Sequence, residues 1–329
     1  MAKITIAPDG QSFDCAPGDT ILRAALRAGF GMNYSCNVGS CGNCRFELLE
    51  GAVTHQRADS PAWSERDLKR NRWLGCQAEP VGDCTIKFRA DPSFVANPRP
   101  MGRSATLLAK TQLTRDITEF TLEIQGDDRF HPGQYALIGA NGISGGRAYS
   151  MANLPGTGQW HFQIKRVPGG ALTGWLFDSA EIGATLSLDG PYGTAFLQTE
   201  ITRDIVLMAG GSGLSPMVSI ARGAAKAGML DTRKLHFYYG ARTQADLFDP
   251  KLLADLGPNV TFTAALSEPE PGWDGPRGFL HDVVAADLGD RLPAHEIYFA
   301  GPAAMSAAIQ KMAHELGTPM GQLHFDEFY

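Results

Sequence analysis

Four cysteines constrain this chain more than any other feature. Three stand in one short stretch, Cys36-Asn37-Val38-Gly39-Ser40-Cys41-Gly42-Asn43-Cys44, and a fourth follows far downstream at Cys76. Four residues separate the first pair and two the second, which is a [2Fe–2S] ligand spacing closed by a distant thiol. The spacing has a physical reason. Three thiolates from one loop surround a small cluster only if the backbone turns tightly, and Gly39 and Gly42 let peptide N–H groups approach sulfur with no Cβ in the way. Zinc is the structural alternative, but zinc sites usually pair two C-x-x-C knuckles, and here only Cys41 and Cys44 form one. The spacing favours iron–sulfur over zinc or free thiols, with Cys36, Cys41, Cys44 and Cys76 as ligands.

At 329 residues the chain is long enough for two or three domains. Met1-Ala2-Lys3-Ile4-Thr5-Ile6 goes straight into strand-like alternation, and no apolar run approaches the ~20 residues of a membrane span. The expectation is a cytoplasmic protein with no membrane partner, a monomer, in which Cys15 and Cys84 are buried thiols rather than a disulfide. Net charge is −6, and residues 1–92 balance 11 basic against 11 acidic side chains, so nucleic acid is not an expected partner. One basic run, Arg66-Asp67-Leu68-Lys69-Arg70-Asn71-Arg72, precedes Cys76. It reads as a solvated helix face, with steering of an acidic redox partner as the alternative.

The hydropathy pattern divides the chain. Residues 1–92 alternate over Lys3–Ala7 and Gln11–Cys15. Asp19 or Thr20 then caps a helix through Ile21, Leu22, Ala25 and Leu26, and strands follow at Phe46–Gly51 and Cys84–Phe88. Residues 93–102 lie in a proline-rich, aperiodic linker. In 103–200, alternation at Phe120, Leu122, Ile124 and at Trp160, Phe162, Ile164 predicts half-buried antiparallel strands of a small barrel. From 201 to 329, apolar strands alternate with helices, which predicts a doubly wound parallel sheet, with Ala209-Gly210-Gly211-Ser212-Gly213-Leu214-Ser215-Pro216 between strand and helix. Glycines and a helix N-terminus in that position suit a dinucleotide pyrophosphate.

The first region, chiefly through its cysteines, resembles the β-grasp fold of plant-type ferredoxins. Phe130-His131-Pro132-Gly133-Gln134-Tyr135 and Arg147-Ala148-Tyr149-Ser150 resemble the F-x-P-G-Q-Y and R-x-Y-S segments of the ferredoxin reductase superfamily. A flavin needs a cation for its pyrophosphate, an aromatic face and a small hydroxyl, and alternation along one strand puts Arg147 and Tyr149 on one side, followed by Ser150. Lys165-Arg166-Val167-Pro168-Gly169-Gly170-Ala171-Leu172-Thr173 is similar to that family's second phosphate element, which implies FAD contacts from Lys165, Val167, Gly169, Gly170 and Thr173. Asp189-Gly190-Pro191-Tyr192-Gly193 matches a turn that closes the barrel. The loop at Gly210, Gly211, Ser212, Gly213 and Pro216 looks like G-G-[ST]-G-x-x-P. Ala300-Gly301-Pro302-Ala303-Ala304-Met305 resembles C-G-P-x-x-M, with Ala300 where cysteine is usual, and implies nucleotide contacts from Gly301, Pro302 and Met305.

Arg242 ends the second strand of the last region, where a basic residue suits a 2′-phosphate and therefore NADPH. The surrounding Tyr-Gly-Ala-Arg-Thr-Gln-Ala-Asp-Leu-Phe resembles NADH-using oxygenase reductases, which implies NADH. The ending His324-Phe325-Asp326-Glu327-Phe328-Tyr329 implies an aromatic, Phe328 or Tyr329, beside the flavin, with Asp326 or Glu327 handling protons and Ser150 at the reacting ring. The order ferredoxin, flavin barrel, nicotinamide domain resembles the reductase components of bacterial multicomponent oxygenases. Leu68-Lys69-Arg70-Asn71-Arg72-Trp73-Leu74-Gly75-Cys76 narrows the likeness to the toluene monooxygenase reductase group. Such a family implies FAD, a [2Fe–2S] cluster and NADH, and a partner that is a Rieske-type ferredoxin or a diiron hydroxylase. A Rieske dioxygenase reductase and a stand-alone NADH:acceptor reductase share the same architecture.

Overall fold

A computed structural model describes residues 1–328. Its chain segments gather into two compact units, one made of Met1–Arg103, Ala136–Ala148 and Ser187–Thr194, the other of Ser104–Tyr135, Tyr149–Leu186 and Ala195–Tyr329. No described helix is long and apolar enough to cross a membrane.

In the first unit a mixed five-stranded sheet runs in the order Gln11–Cys15, Ala2–Ile6, Cys84–Lys87, Arg45–Glu50, Arg72–Leu74. Ala2–Ile6 pairs parallel with Cys84–Lys87 and antiparallel with Gln11–Cys15, which is the β-grasp pattern. The helix Ile21–Ala28 buries Ile21, Leu22, Ala24, Ala25 and Leu26, and Gly29, at φ +89°, ends it by donating to the carbonyls of Ala25 and Leu26. The expected side-chain cap does not form. Thr20 holds the N-cap position, but its hydroxyl is buried without a partner among the described residues, and Asp19 is drawn away to Arg27. Arg27 also reaches Asp189 at 2.6 Å, and the Tyr34 hydroxyl accepts from the Gly193 N–H at 2.9 Å. Asp189–Tyr192 is therefore not a closing turn: these residues end the strand Thr185–Tyr192, and Asp189 and Tyr192 engage Arg27 and Tyr34.

Six strands form a nearly closed antiparallel barrel in the order Arg147–Ser150, Tyr135–Gly139, Thr185–Tyr192, Met101–Gln112, Ile117–Ile124, Gln159–Lys165. A bridge between Met151 and Phe162 draws its two ends together. Phe120, Leu122, Ile124, Trp160, Phe162 and Ile164 are all buried, as their alternation predicts.

The remaining sheet is parallel, in the order Val260–Leu266, Leu235–Ala241, Asp204–Gly210, His295–Pro302, Leu323–Phe328. Successive residues alternate between its faces. Ile205, Leu207, Ala209, Phe237 and Tyr239 join one core with Met217 and Val218 of the helix Leu214–Lys226. Val206, Met208, Tyr238 and Ile297 join another with Val284 and Ile309 of the helices Leu280–Leu288 and Ala303–Glu315. Both faces are thus covered, which is why these strands read as unbroken apolar runs. The strand order reverses between Asp204–Gly210 and His295–Pro302, and that switch point is where open α/β sheets take their ligands.

Candidate redox and nucleotide sites

The cysteine loop is wound around sulfur. The main-chain N–H groups of Val38, Ser40 and Cys41 donate to Cys36 Sγ at 3.5, 3.3 and 3.3 Å. Asn37, Gly39 and Gly42 take positive φ to permit this. A Cβ on Gly39 would meet the side chains of Ser60 and Gln77 at 2.9–3.1 Å, so the loop is also closely walled. The Cys41 thiol donates to Cys36 and, with the three N–H groups, holds Cys36 down to about 5 against its burial. Cys76 is raised well above the usual thiol range by its hydrogen bond to Cys44 and by burial. Cys41 is thus the hydrogen-bond partner of Cys36, and Cys44 that of Cys76. The Nδ2 of Asn37, 1 % exposed, has no partner among the described residues. Four thiols, a convergence of N–H groups on sulfur and an orphaned buried donor fit an iron–sulfur cluster. Cys15, by contrast, is buried near Asp19 and pushed up to about 12, and Cys84 rests on the carbonyls of Ala52 and Gly82.

Arg147 is exposed, bonds only the carbonyls of Ser144, Gly145 and Gly146, and has no carboxylate partner among the described residues, so its charge is available to an anion. Ser150 is buried and its carbonyl accepts from Ser215 Oγ at 2.6 Å. In the glycine turn, Thr173 Oγ1 bonds Val167 O and Gly170 O and accepts from Val167 N–H, all at 3.3 Å. The two glycines serve differently. Gly169 has φ +72° with open space around it, whereas a Cβ on Gly170 would stand 2.5 Å from Thr173 Oγ1. The turn leads into Ala171–Gly174 and a π-helical turn, Trp175–Ser179. Within the second unit, the glycine turn with open space and a helix start fits a flavin pyrophosphate.

Lys165 is held by Asp116 at 3.1 Å, and its Nζ lies 3.9 Å from where a Gly211 Cβ would stand, so it lies between the two glycine elements. Within Gly210–Gly213 the structure separates roles the sequence leaves merged. A Cβ on Gly213 would fall 1.9 Å from Ala300 O, and one on Gly210 would fall 2.6 Å from Met305 Sδ. These two glycines let the loop seat on Ala300 and Met305 at the switch point; Gly211, at φ +56°, meets only Lys165. Gly301 is pressed against Gly210 and Met305, Pro302 precedes the helix Ala303–Glu315, and Pro216 is buried in Leu214–Lys226. Ser212 is half-buried beside them. Arg242 is exposed just beyond Leu235–Ala241 and makes no ion pair among the described residues.

On the terminal strand Asp326 pairs in register with Ala300, and burial pushes its carboxyl up to about 7. Glu327 accepts from Ser306 Oγ and Gln310 Nε2 at 3.1 and 3.2 Å. Phe328 pairs with Pro302 and packs on the core around Tyr298 and Ala300. Tyr329 lies outside the described residues.

Sequence reasoning missed the seam within the second unit. Ser215 Oγ, Ser219 Oγ and Arg222 Nη1 donate to the carbonyls of Ser150, Asn153 and Ala152 at 2.6, 2.9 and 3.1 Å. Their i, i+4, i+7 spacing was a readable signal, because it puts three polar groups on one face of an otherwise buried helix.

The fold and its three sites define a flavin-dependent reductase that carries its own iron–sulfur domain. Residues 4–81 match the 2Fe-2S iron-sulfur cluster binding domain, residues 104–196 the oxidoreductase FAD-binding domain and residues 207–311 the oxidoreductase NAD-binding domain. The chain belongs to the ferredoxin–NAD(P)+ reductase family in its form with a 2Fe-2S domain, an oxidoreductase family. It is 39% identical to ferredoxin–NAD(P)+ reductase CarAd of Metapseudomonas resinovorans, over 96% of each chain. It is 38% identical to the ferredoxin–NAD+ reductase component of an alkene monooxygenase system of Xanthobacter autotrophicus, over 97% of this chain and 98% of that one. Among solved structures, the ferredoxin reductase in carbazole 1,9a-dioxygenase superposes with a TM-score of 0.92 at 35% identity, covering 100% of this chain and 98% of that one.

Proposed function

We propose that this chain is the NADH-dependent reductase component of a soluble diiron monooxygenase acting on aromatic or alkene substrates. In this reading electrons pass from NADH through FAD and a [2Fe–2S] cluster to a Rieske-type ferredoxin or a diiron hydroxylase component. The observation that carries it is the cysteine loop, with three N–H groups on one buried sulfur. The chain divides into a ferredoxin region 1–92, a linker 93–102, a flavin region 103–200 and a nucleotide region 201–329, and acts as a cytoplasmic monomer.

Bound, FAD supplies the exchange between two-electron chemistry at nicotinamide and one-electron chemistry at the cluster. This chain's residues do the positioning. Cys36, Cys41, Cys44 and Cys76 hold iron. Arg147, Lys165, Val167, Gly169, Gly170 and Thr173 hold the flavin pyrophosphate, while Tyr149 and Phe328 flank the ring and Ser150 stands beside it. Gly210, Gly211, Ser212, Gly213, Pro216, Gly301, Pro302 and Met305 seat the dinucleotide, with Arg242 at its ribose end. Asp326 or Glu327 handles protons near the ring. A second reading, the reductase of a Rieske ring-hydroxylating dioxygenase, is favoured by the likeness to the carbazole 1,9a-dioxygenase reductase.

Anaerobic titration of the purified protein with NADH and, in parallel, NADPH tests the proposal by visible absorbance. Bleaching of flavin and iron–sulfur bands at much lower NADH than NADPH supports it. Preference for NADPH would mean that Arg242 reads a 2′-phosphate, and a cluster that stays oxidised while flavin bleaches would end the proposed relay.

A further inference from the structure

Next to the cysteine loop, the first unit carries an aromatic stack that neither the fold nor the cofactors require. Trp63 and Trp73 lie stacked, ring centroids 5.0 Å apart and planes 28° from parallel, and His55 meets both edgewise at 4.3 and 5.0 Å. Both indoles remain partly open to solvent. Each is tied in place through its N–H, Trp63 to Arg72 O at 2.9 Å and Trp73 to Asn71 Oδ1 at 3.1 Å. The stack abuts the cysteines through the backbone. Trp73 pairs with Phe46, two residues from Cys44, and stands three residues before Cys76; Gly75 N–H donates to Cys44 O at 2.8 Å. From the other side Ala62, next to Trp63, donates its N–H to Gly39 O inside the cysteine loop.

The charge around the stack is mostly positive. Arg66, Lys69, Arg70 and Arg72 are exposed, and of the two acids at 65–72 Asp67 is buried and taken by Arg45. That leaves four exposed cations against Glu65 and the half-buried Glu47, which pairs with Arg72 across the strands, within a region of residues 1–92 whose total charge balances. His55 adds none: its Nε2 accepts from Leu74 N–H at 3.2 Å, and burial holds its pKa at about 4. Leu68, 52% exposed, sits among the cations on the helix Glu65–Lys69. Partly exposed tryptophans with arginines have the composition of a protein-contact hot spot, and its cationic rim fits an anionic counterpart.

We propose that the surface Trp63–Trp73, with Arg66, Lys69, Arg70 and Arg72 at its rim, is where this chain docks an acidic face of the protein that accepts its electrons. The inference rests on the reading of the chain as an oxygenase reductase and adds the exit. In the docked pair one electron leaves this chain and enters the partner, and no bond is made or broken.

The test uses the full-length holoprotein, reduced anaerobically with dithionite so that it does not depend on the nicotinamide step. The probes are horse cytochrome c, which is basic, and the same protein succinylated to an acidic surface. The wild type should reduce the acidic form faster at low ionic strength, by about tenfold, with the advantage gone in high salt. The triple variant R66E/K69E/R70E should reverse the preference while its visible spectrum and its reduction by NADH stay unchanged. R66Q/K69Q/R70Q, which introduces no repulsion, should merely abolish it, and serves if the first variant loses its cluster. Equal rates with the two forms in the wild type, or an unaltered preference in the variants, overturns the proposal. A change in sedimentation of the variants without a change in preference also overturns it, since the surface would then cover a second copy of the chain. Failure of NADH to reduce a protein that still shows the charge preference would sink the reductase reading and leave the docking surface standing.

Discussion

Gly213 and Gly169 are both glycines of cofactor-type loops, yet their surroundings predict different costs for one methyl group. At Gly213 a Cβ would sit 1.9 Å from Ala300 O, so Gly213→Ala should destabilise the protein by about 3 kcal/mol through overpacking. Gly169→Ala meets nothing within 4 Å and should cost only about 1 kcal/mol, the strain of φ +72°. Thermal unfolding of the two variants would show the order, and an equal loss would mean the Ala300 contact is not what Gly213 serves. Cys76→Ser should remove the iron–sulfur absorbance while flavin absorbance and NADH-driven ferricyanide reduction persist, because the cysteines and the glycine turn belong to different compact units. Asp326 supplies a pH signature. Its folded pKa of about 7 lies above its ordinary 3.8, so the native state binds the extra proton and its contribution, full below pH 3.8, disappears as pH rises through 7. Asp326→Asn should therefore be more stable than the wild type at pH 8, by about 1 kcal/mol, and the gain should vanish near pH 4. Guanidinium melts at the two pH values measure this.

Among the elements, the strand His295–Pro302 shows how a parallel sheet accommodates charge. Glu296 is buried; burial pushes its carboxyl up, but hydrogen bonds from His324 at 2.6 Å and from Arg203 at 2.6–2.9 Å outweigh it and hold it below its ordinary 4.5. A depressed carboxylate stabilises above its unfolded pKa and loses that contribution as pH falls through the folded one. Glu296→Gln should cost about 2 kcal/mol at pH 7, less than the roughly 3–5 kcal/mol of a fully buried pair because Arg203 is itself 41% exposed, and the gap should close below pH 4. The elements themselves were largely legible. Apolar runs gave the parallel strands, strict alternation gave Ile117–Ile124 and Gln159–Lys165, and cysteine spacing gave the loop. What the sequence hid depends on partners distant in the chain. Asp189 and Tyr192 read as a turn because nothing local says that Arg27 and Tyr34 will meet them, and Thr20 read as a cap because Thr at that position usually caps. At Gly210 and Gly213 the approach of Ala300 and Met305, a second reason for glycine there, has no local mark.

For the molecule as a whole, periodicity suggests beads on a string, whereas the first unit is entered by the chain three times. Tyr34, 3% exposed, has its hydroxyl on Gly193 and its ring edgewise to Tyr192, and Arg27 reaches Asp189. A fragment of residues 1–92 should therefore bind its cluster yet melt below the iron–sulfur transition of the full chain, and Arg27→Ala in the full chain should move that transition in the same direction. Equal melting of fragment and full chain would show that these long-range contacts contribute nothing. The threading also orders events during synthesis. All four cysteines have left the ribosome once residue 76 and its successors emerge, but Ser187–Thr194 follow only about 110 residues later, a delay on the order of ten seconds at ordinary translation speed. For that interval Tyr34 and Arg27 stand uncovered, so whatever delivers iron and sulfide can meet the nascent chain before the segment that engages them has been translated.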